Sequence, residues 1–186
     1  MPPKVKITKQ DIVQAAVDIV RQSGPEAINA RNIAAALGCS TQPVFSNFAT
    51  MEELKLAVVE RSDKLCWDCM QKEIGSGLYP AYKASGMAYI RFAKEEKQLF
   101  KLLYMRDRAG EPAMEDHQLT NAMEGMVQQN TGLDDRTAKL FHLEMWAYVH
   151  GIATMFATGF LDLEWELVSK MITDAYQGLR KQYGLE

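Results

Sequence analysis

The stretch NARNIAAALGCSTQPVFSN, Asn29–Asn47, decides how the rest of the chain is read. Asn29 is a helix-capping residue, and Ile33, Ala36 and Leu37 recur at helical spacing behind it. Gly38 then stops the helix, because glycine accepts the left-handed backbone a sharp turn needs. Ser40 can cap a second short helix, Thr41–Asn47, with Pro43 in the first turn, where no intrahelical N–H bond is lost. Two short helices joined by a glycine turn have helix-turn-helix geometry, in which the second helix lies in the major groove of DNA. Ala34 is small where the helices must approach, and Cys39 is a small turn residue. On the reading helix, Gln42 and Asn47 carry amides that can pair with adenine. Ser40, Thr41 and Ser46 carry hydroxyls that can bond phosphates or bases.

Helical period extends in both directions. Upstream, Ile12, Ala15, Ala16, Ile19 and Val20 form one face of a helix over Lys9–Ser23, capped by Thr8 and ended by Gly24-Pro25. Downstream, Thr50-Met51-Glu52-Glu53 is a capping box that opens a long helix to about Ile74, closed by Gly75-Ser76-Gly77. Further helices are expected over Pro80–Glu95, Lys97–Met105, Ala113–Asn130, Asp134–Thr158 and Leu163–Tyr183, with a polar loop at Arg106–Pro112. No segment alternates at period two for long enough to make a strand. The expected fold is all-α, with about nine helices: a three-helix DNA-binding domain over residues 1–50 and a helical bundle over 51–186, with 51–74 as the connecting helix.

Composition agrees with a globular protein: 186 residues, 47% hydrophobic and 24% charged. No apolar run is long enough to span a bilayer and the start lacks a signal-peptide core, so a cytoplasmic location without membrane attachment is expected. The formal net charge is −3, unevenly spread. Residues 1–50 carry net +2 and the remainder −5, a basic end on an acidic body, which suits phosphate contact at one end only. Lys6, Lys9 and Arg31 are the candidate phosphate-binding cations.

Residues 7–60 resemble the DNA-binding domain of the TetR (tetracycline repressor) family. The resemblance rests on Ile12 to Ala16 with Gly24, on Ile33-Ala34 with Leu37-Gly38-Cys39-Ser40, on Val44-Phe45-Ser46-Asn47-Phe48, and on Glu52-Glu53-Leu54. It implies an all-helical homodimer that binds a double-stranded DNA operator, usually as a repressor released by a small-molecule effector. Three positions depart from the pattern: Phe45 stands for tyrosine, Asn47 for histidine and Met51 for lysine, each a phosphate contact in the family. Phe48 is expected in the core; the residues leave Phe45 open between core and DNA surface.

Asp134–Thr158 is the most informative stretch of the body. Phe141, Met145, Val149, Ile152 and Phe156 form one stripe, flanked by His142, Trp146 and His150. Ala147, Gly151, Thr154 and Thr158 form a small-residue stripe that admits close helix approach. With Val168, Ile172, Ala175 and Leu179 of the last helix it is the expected dimer interface, a four-helix arrangement with isologous contacts. The run Trp146–Gly151 also resembles an element on the penultimate helix of one TetR subgroup. An effector pocket is expected to draw on Phe92, Phe100, Tyr104, Met123, Met126, His142, Trp146 and His150, against the plain alternative that they are core.

Two rival readings use other residues. Cys66-Trp67-Asp68-Cys69 is a CxxC within the connecting helix and would serve a redox- or metal-responsive regulator, although no second CxxC or nearby histidine accompanies it. A helical enzyme is the other class, but no nucleophile motif, phosphate-cradling glycine loop or metalloprotease helix is present. No cofactor, metal site or catalytic residue is expected.

Overall fold

A computed structural model of the chain describes residues 7–107 and 118–185. Among these residues there are nine α-helices, one 3-10 turn and no strand. The helices are α1 (Lys9–Ser23), α2 (Ala30–Ala36), α3 (Gln42–Asn47), α4 (Met51–Ser76), α5 (Ala81–Glu95), α6 (Lys97–Tyr104), α7 (Gln118–Thr131), α8 (Asp135–Thr158) and α9 (Trp165–Gln182). The expected all-α architecture is present. Lys6, the Arg106–Pro112 loop beyond Asp107 and the start of the helix expected from Ala113 lie outside the described residues.

The helices fall into two compact units. The first holds residues up to Leu65 together with Glu96–Arg106; the second holds Cys66–Glu95 and the residues from Asp107 onward. The first unit thus runs past the boundary expected at residue 50, and α4 begins in one unit and ends in the other.

In the first unit, Thr8 caps α1 through a reciprocal box: its hydroxyl accepts from the Asp11 N–H at 3.1 Å and Asp11 accepts from the Thr8 N–H at 2.9 Å. Ile12, Ala16, Val17 and Val20 form the buried face of α1. Ile33 and Ala34 of α2, Val44 of α3 and Phe48 are buried with them. Gly38 ends α2 at φ +62°, with the Cys39 N–H donating to the Ala34 carbonyl at 2.9 Å and the Gly38 N–H to Ala35 at 3.2 Å. That pair of bonds is a Schellman motif, and it turns the chain into α3. One cap differs from expectation. Ser40 does not cap α3; Thr41 stands there instead, without a side-chain bond. The reason is local: Pro43 has no N–H to offer, and the Val44 N–H goes to the Thr41 carbonyl at 3.1 Å.

The sixth helix belongs to this first unit, not to the expected bundle. Leu99, Phe100, Leu102 and Leu103 form its buried face, and it packs on α1. Arg21 of α1 clamps its N-terminus, with Nε 3.0 and 3.1 Å from the two Glu96 oxygens and an Nη 2.8 Å from one of them. Leu54 and Val58 bury the first turns of α4, and Ser62 is buried one turn on, its hydroxyl donating to the Val58 carbonyl at 2.7 Å.

In the second unit α5 is the central helix. Ala84, Ser85, Met87, Ala88, Tyr89, Ile90, Phe92 and Ala93 are all buried, so it is covered nearly all round, by α7, α8 and α9. A Cβ at Gly86 would meet Val149 Cγ2 at 3.5 Å, which shows how closely α5 and α8 approach. Asp134 caps α8 by accepting from the Thr137 N–H at 2.9 Å. Phe141, Met145, Val149, Ile152 and Phe156 are the buried stripe of α8, as the spacing predicts.

Gly38→Ala isolates the backbone cost of the turn, because an added Cβ would meet nothing within 4 Å. Chemical denaturation is expected to show a loss of roughly 1 kcal/mol, the penalty of a left-handed non-glycine residue. An unchanged midpoint would mean that the turn relaxes without cost.

Candidate nucleic-acid interface and ligand groove

The two faces of α3 differ sharply. Val44 points inward and Phe48, just past its end, is 2% exposed. Phe45 is 56% exposed, which settles its side: it is a surface residue. Ser40, Gln42 and Ser46 are exposed and Thr41 is half-buried. The Ser46 hydroxyl donates to the Gln42 carbonyl at 2.9 Å, so its oxygen remains an acceptor. Asn47 is half-buried and donates to the Pro43 carbonyl at 2.8 Å. One amide hydrogen is therefore already used within α3.

The candidate cations are also unlike one another. Arg31, in the first turn of α2, is exposed. Lys9 is not idle: its Nζ lies 2.9 Å from Glu53 and 4.5 Å from the Phe48 ring centre. Glu53 in turn accepts from the Ala49 N–H at 2.8 Å. Lys9, foremost, and that N–H hold the Glu53 carboxyl below its ordinary range. Lys9 thus ties the start of α1 to the start of α4, and a phosphate would have to compete with that pair.

The residues expected to line a pocket do not all come together. Phe100 and Tyr104 lie on α6 in the first unit, their rings 5.0 Å apart. Phe92 and Met123 are buried in the second unit and Met126 is half-buried. His142 and Trp146 line a groove of about 410 Å3 between α7 and α8. Thr120 and Glu124 of α7 and Lys139, Leu140 and Leu143 of α8 complete it. These five were missed, although Lys139, His142, Leu143 and Trp146 follow i, i+3, i+4, i+7 spacing, the signature of one helix face.

Two tyrosines of α5 that the sequence did not single out hold the histidines. Tyr82 Oη lies 2.9 Å from His142 Nδ1, and Tyr89 Oη lies 2.9 Å from His150 Nδ1. Burial pushes both phenols up and holds both imidazoles down, His142 to about 4. Each phenol is thus protonated and each ring neutral. The phenol donates to Nδ1, which leaves the imidazole proton on Nε2. Trp146 bonds to Tyr89 and stacks on His150 with ring centres 4.8 Å apart. His150 is therefore hydrogen-bonded and stacked while half-buried.

The expected dimer residues divide. On α8, Ala147 and Thr158 are exposed and Gly151 and Thr154 half-buried. A Cβ at Gly151 would meet nothing within 4 Å. On α9, Val168 and Ile172 are buried within the chain itself, and Ala175 and Leu179 are half-buried. Those first two side chains serve this unit's own core and cannot also face a partner. The open side of α9 instead carries Leu167, 46% exposed, and Gly178.

Cys66 and Cys69 are free thiols. Cys66 is buried, and burial, with Glu95 next, pushes the Cys69 thiol up. Redox-active thiols need the opposite shift. Among the described residues no group of three or more His, Cys, Asp or Glu side chains could hold a metal, and no helix is long and apolar enough to cross a membrane.

Comparison with known proteins follows the same lines. Residues 82–174 match the family model described as the tetracyclin repressor-like C-terminal domain. A TetR-like transcriptional regulator from Rhodococcus sp. RHA1 superposes with a TM-score of 0.68 at 18% identity, over 96% of this chain and 98% of that one. A putative TetR-family transcriptional regulator from Vibrio parahaemolyticus gives 0.63 at 14% identity, over 91% and 97%. A search of curated proteins finds no match.

Phe45 and Phe48 should separate cleanly on substitution. Phe48→Ala is expected to cost about 3–5 kcal/mol in denaturant unfolding, while Phe45→Ala leaves stability within about 0.5 kcal/mol.

His142 gives stability a pH dependence of defined sign. Its ordinary pKa of 6.5 falls to about 4 on folding, so between those values the unfolded chain binds a proton that the folded chain refuses. Stability is full above pH 6.5 and is lost as pH falls towards 4, by on the order of 3 kcal/mol. Melting curves from pH 7 to 4.5 are expected to flatten in His142→Gln; equal slopes in both proteins would exclude this origin.

Proposed function

The chain belongs to the tetracycline-repressor-like family, and from that premise we propose that it is a homodimeric repressor which binds an operator through Ser40–Asn47 and releases it when a small molecule occupies the second unit. Family membership makes it a transcriptional regulator rather than a helical enzyme. The observation that carries the finer reading is the outward face of α3. A helix with Val44 buried and Gln42, Phe45 and Ser46 exposed has no packing use for that exposed face among the described residues. It is the composition a major-groove helix needs: Gln42 for adenine, Ser46 as acceptor for a base amino group, Phe45 for a thymine methyl. Arg31, exposed on α2, adds a phosphate contact, and Lys6 and Lys9 are further candidates.

Dimerisation is proposed through α8 and α9. Ala147, Gly151, Thr154 and Thr158 follow each other at spacings of three and four, a stripe of small residues that admits a second helix closely. Leu167 and Gly178 offer the matching open side of α9. A second copy related by two-fold symmetry would bring two reading helices to successive major grooves, about 34 Å apart.

Release is a shift of population: the ligand must favour the arrangement that does not fit DNA. The chain passes between the units at residues 65–66, 95–96 and 106–107. The middle crossing leads from α5, which carries Tyr82 and Tyr89, straight into α6. Glu96, at that crossing, is held by Arg21. We assign this junction, along with α4, as the link between effector and DNA.

Selection of bound sequences from random DNA supplies the operator for the test. Gln42→Ala is expected to weaken operator binding about tenfold and to relax specificity at one position, the effect of losing one bidentate base contact. Arg31→Ala should weaken all sequences alike and lower the salt slope by about one unit. Equal binding by wild type and Gln42→Ala across sequences would overturn the assignment of α3. Ala147→Glu is expected to sediment as a monomer with unchanged helical content; a persistent dimer would move the interface elsewhere.

A further inference from the structure

The groove between α7 and α8 carries more chemistry than the effector reading so far uses. Its apolar part is Leu140, Leu143 and the indole of Trp146. One face of that indole is taken by His150, stacked at 4.8 Å, and its N–H bonds to Tyr89, so the ring is fixed in place. A fixed aromatic plane bordering a groove suits a flat ring.

Charge then selects among flat molecules. Three titratable groups border the polar end. Lys139 has a counter-ion, Asp135, at 3.4 Å on the preceding turn of α8. His142 is neutral and contributes no charge at physiological pH. Glu124 of α7 makes no hydrogen bond or ion pair with any described residue, and burial pushes its carboxyl up despite Lys139 nearby. Lys139 has both Asp135 and Glu124 beside it, so among the described residues the polar end of the groove carries one more carboxylate than cation. An indole face also attracts cations.

We propose that the groove binds a planar aromatic or heteroaromatic cation, with its ring against Trp146 and Leu143 and its positive group towards Glu124. The proposal rests on the reading of the second unit as the effector-binding part, and it adds the chemical class. An anion would meet the excess carboxylate of the groove, and a neutral ring would desolvate Glu124 without supplying a counter-charge.

Three probes of one shape separate the alternatives: 2-naphthylmethylammonium, 2-naphthamide and 2-naphthoate, titrated calorimetrically into the full-length protein at pH 7.5. The ammonium is expected to bind more tightly than the amide, by up to about fivefold, the upper end for a partly exposed ion pair, with the carboxylate weakest. Glu124→Gln should erase that preference while leaving amide binding unchanged. Lys139→Gln, which removes a like charge, should tighten the ammonium. Ammonium affinity of the wild type should fall as pH is lowered through the titration of Glu124, and Glu124→Gln should not show that fall. Preference for naphthoate, equal binding of all three, or unaltered ammonium binding by Glu124→Gln would each overturn the proposal. So would failure of all three probes to bind a protein that still binds its operator as a dimer, which leaves the regulator reading intact. Tight ammonium binding without operator release would instead keep the groove and sink its role as the effector site.

Discussion

Helices of seven and six residues do not hold themselves together in water. Forming the first turn fixes several dihedrals for one hydrogen bond, and isolated helices much shorter than about 12 residues are marginal. The second and third helices therefore exist only because Ile33, Ala34, Val44 and Phe48 are buried with the apolar face of the first. That dependence constrains everything else in the unit. The left-handed glycine at 38 must place the third helix so that Val44 and Phe48 turn in, and Gln42, Phe45 and Ser46 then have to turn out. The exposed face is a consequence of packing, and function can use it because packing leaves it free.

The second unit meets a different constraint. Its central helix is buried almost all round, yet it carries two tyrosines whose hydroxyls must find partners. His142 and His150, eight residues apart on the eighth helix, supply them, and Trp146 between them joins the second pair. Burial keeps all four rings neutral, so the helices are joined without burying a charge. The same arrangement fixes the orientation of the groove-lining indole and imidazole. Rigid walls of that kind cost a ligand less ordering entropy than mobile ones.

Charge is treated differently in the two units. In the first, cations are spent on structure: Lys9 on Glu53 and Arg21 on Glu96. Arg31 remains exposed. Phe45, Asn47 and Met51 carry no positive charge, and Asn47 is partly engaged by the Pro43 carbonyl, so on the proposed reading base contacts would weigh more and phosphate neutralisation less than the family pattern implies. In the second unit two carboxylates, Glu124 and Asp135, have the same cation, Lys139, beside them.

The sequence by itself determined the helices, their order and most of their caps, because periodicity, capping residues and glycine stops act over a few residues. It determined the helix-turn-helix for the same reason: Gly38 and its neighbours settle that geometry locally. It also placed Phe48 in the core. Only the tertiary structure decided what each helix packs against. The sixth helix has an apolar face that suits either unit, and the Arg21–Glu96 clamp that accompanies its packing on the first helix links residues seventy-five positions apart. Val168 and Ile172 read equally well as a partner-facing or inward stripe, since a helical period shows that a face is buried but not by whom. The groove was hidden because Glu124 and Lys139 lie on different helices, and no local rule brings an acid on one helix to a base and an indole on the next.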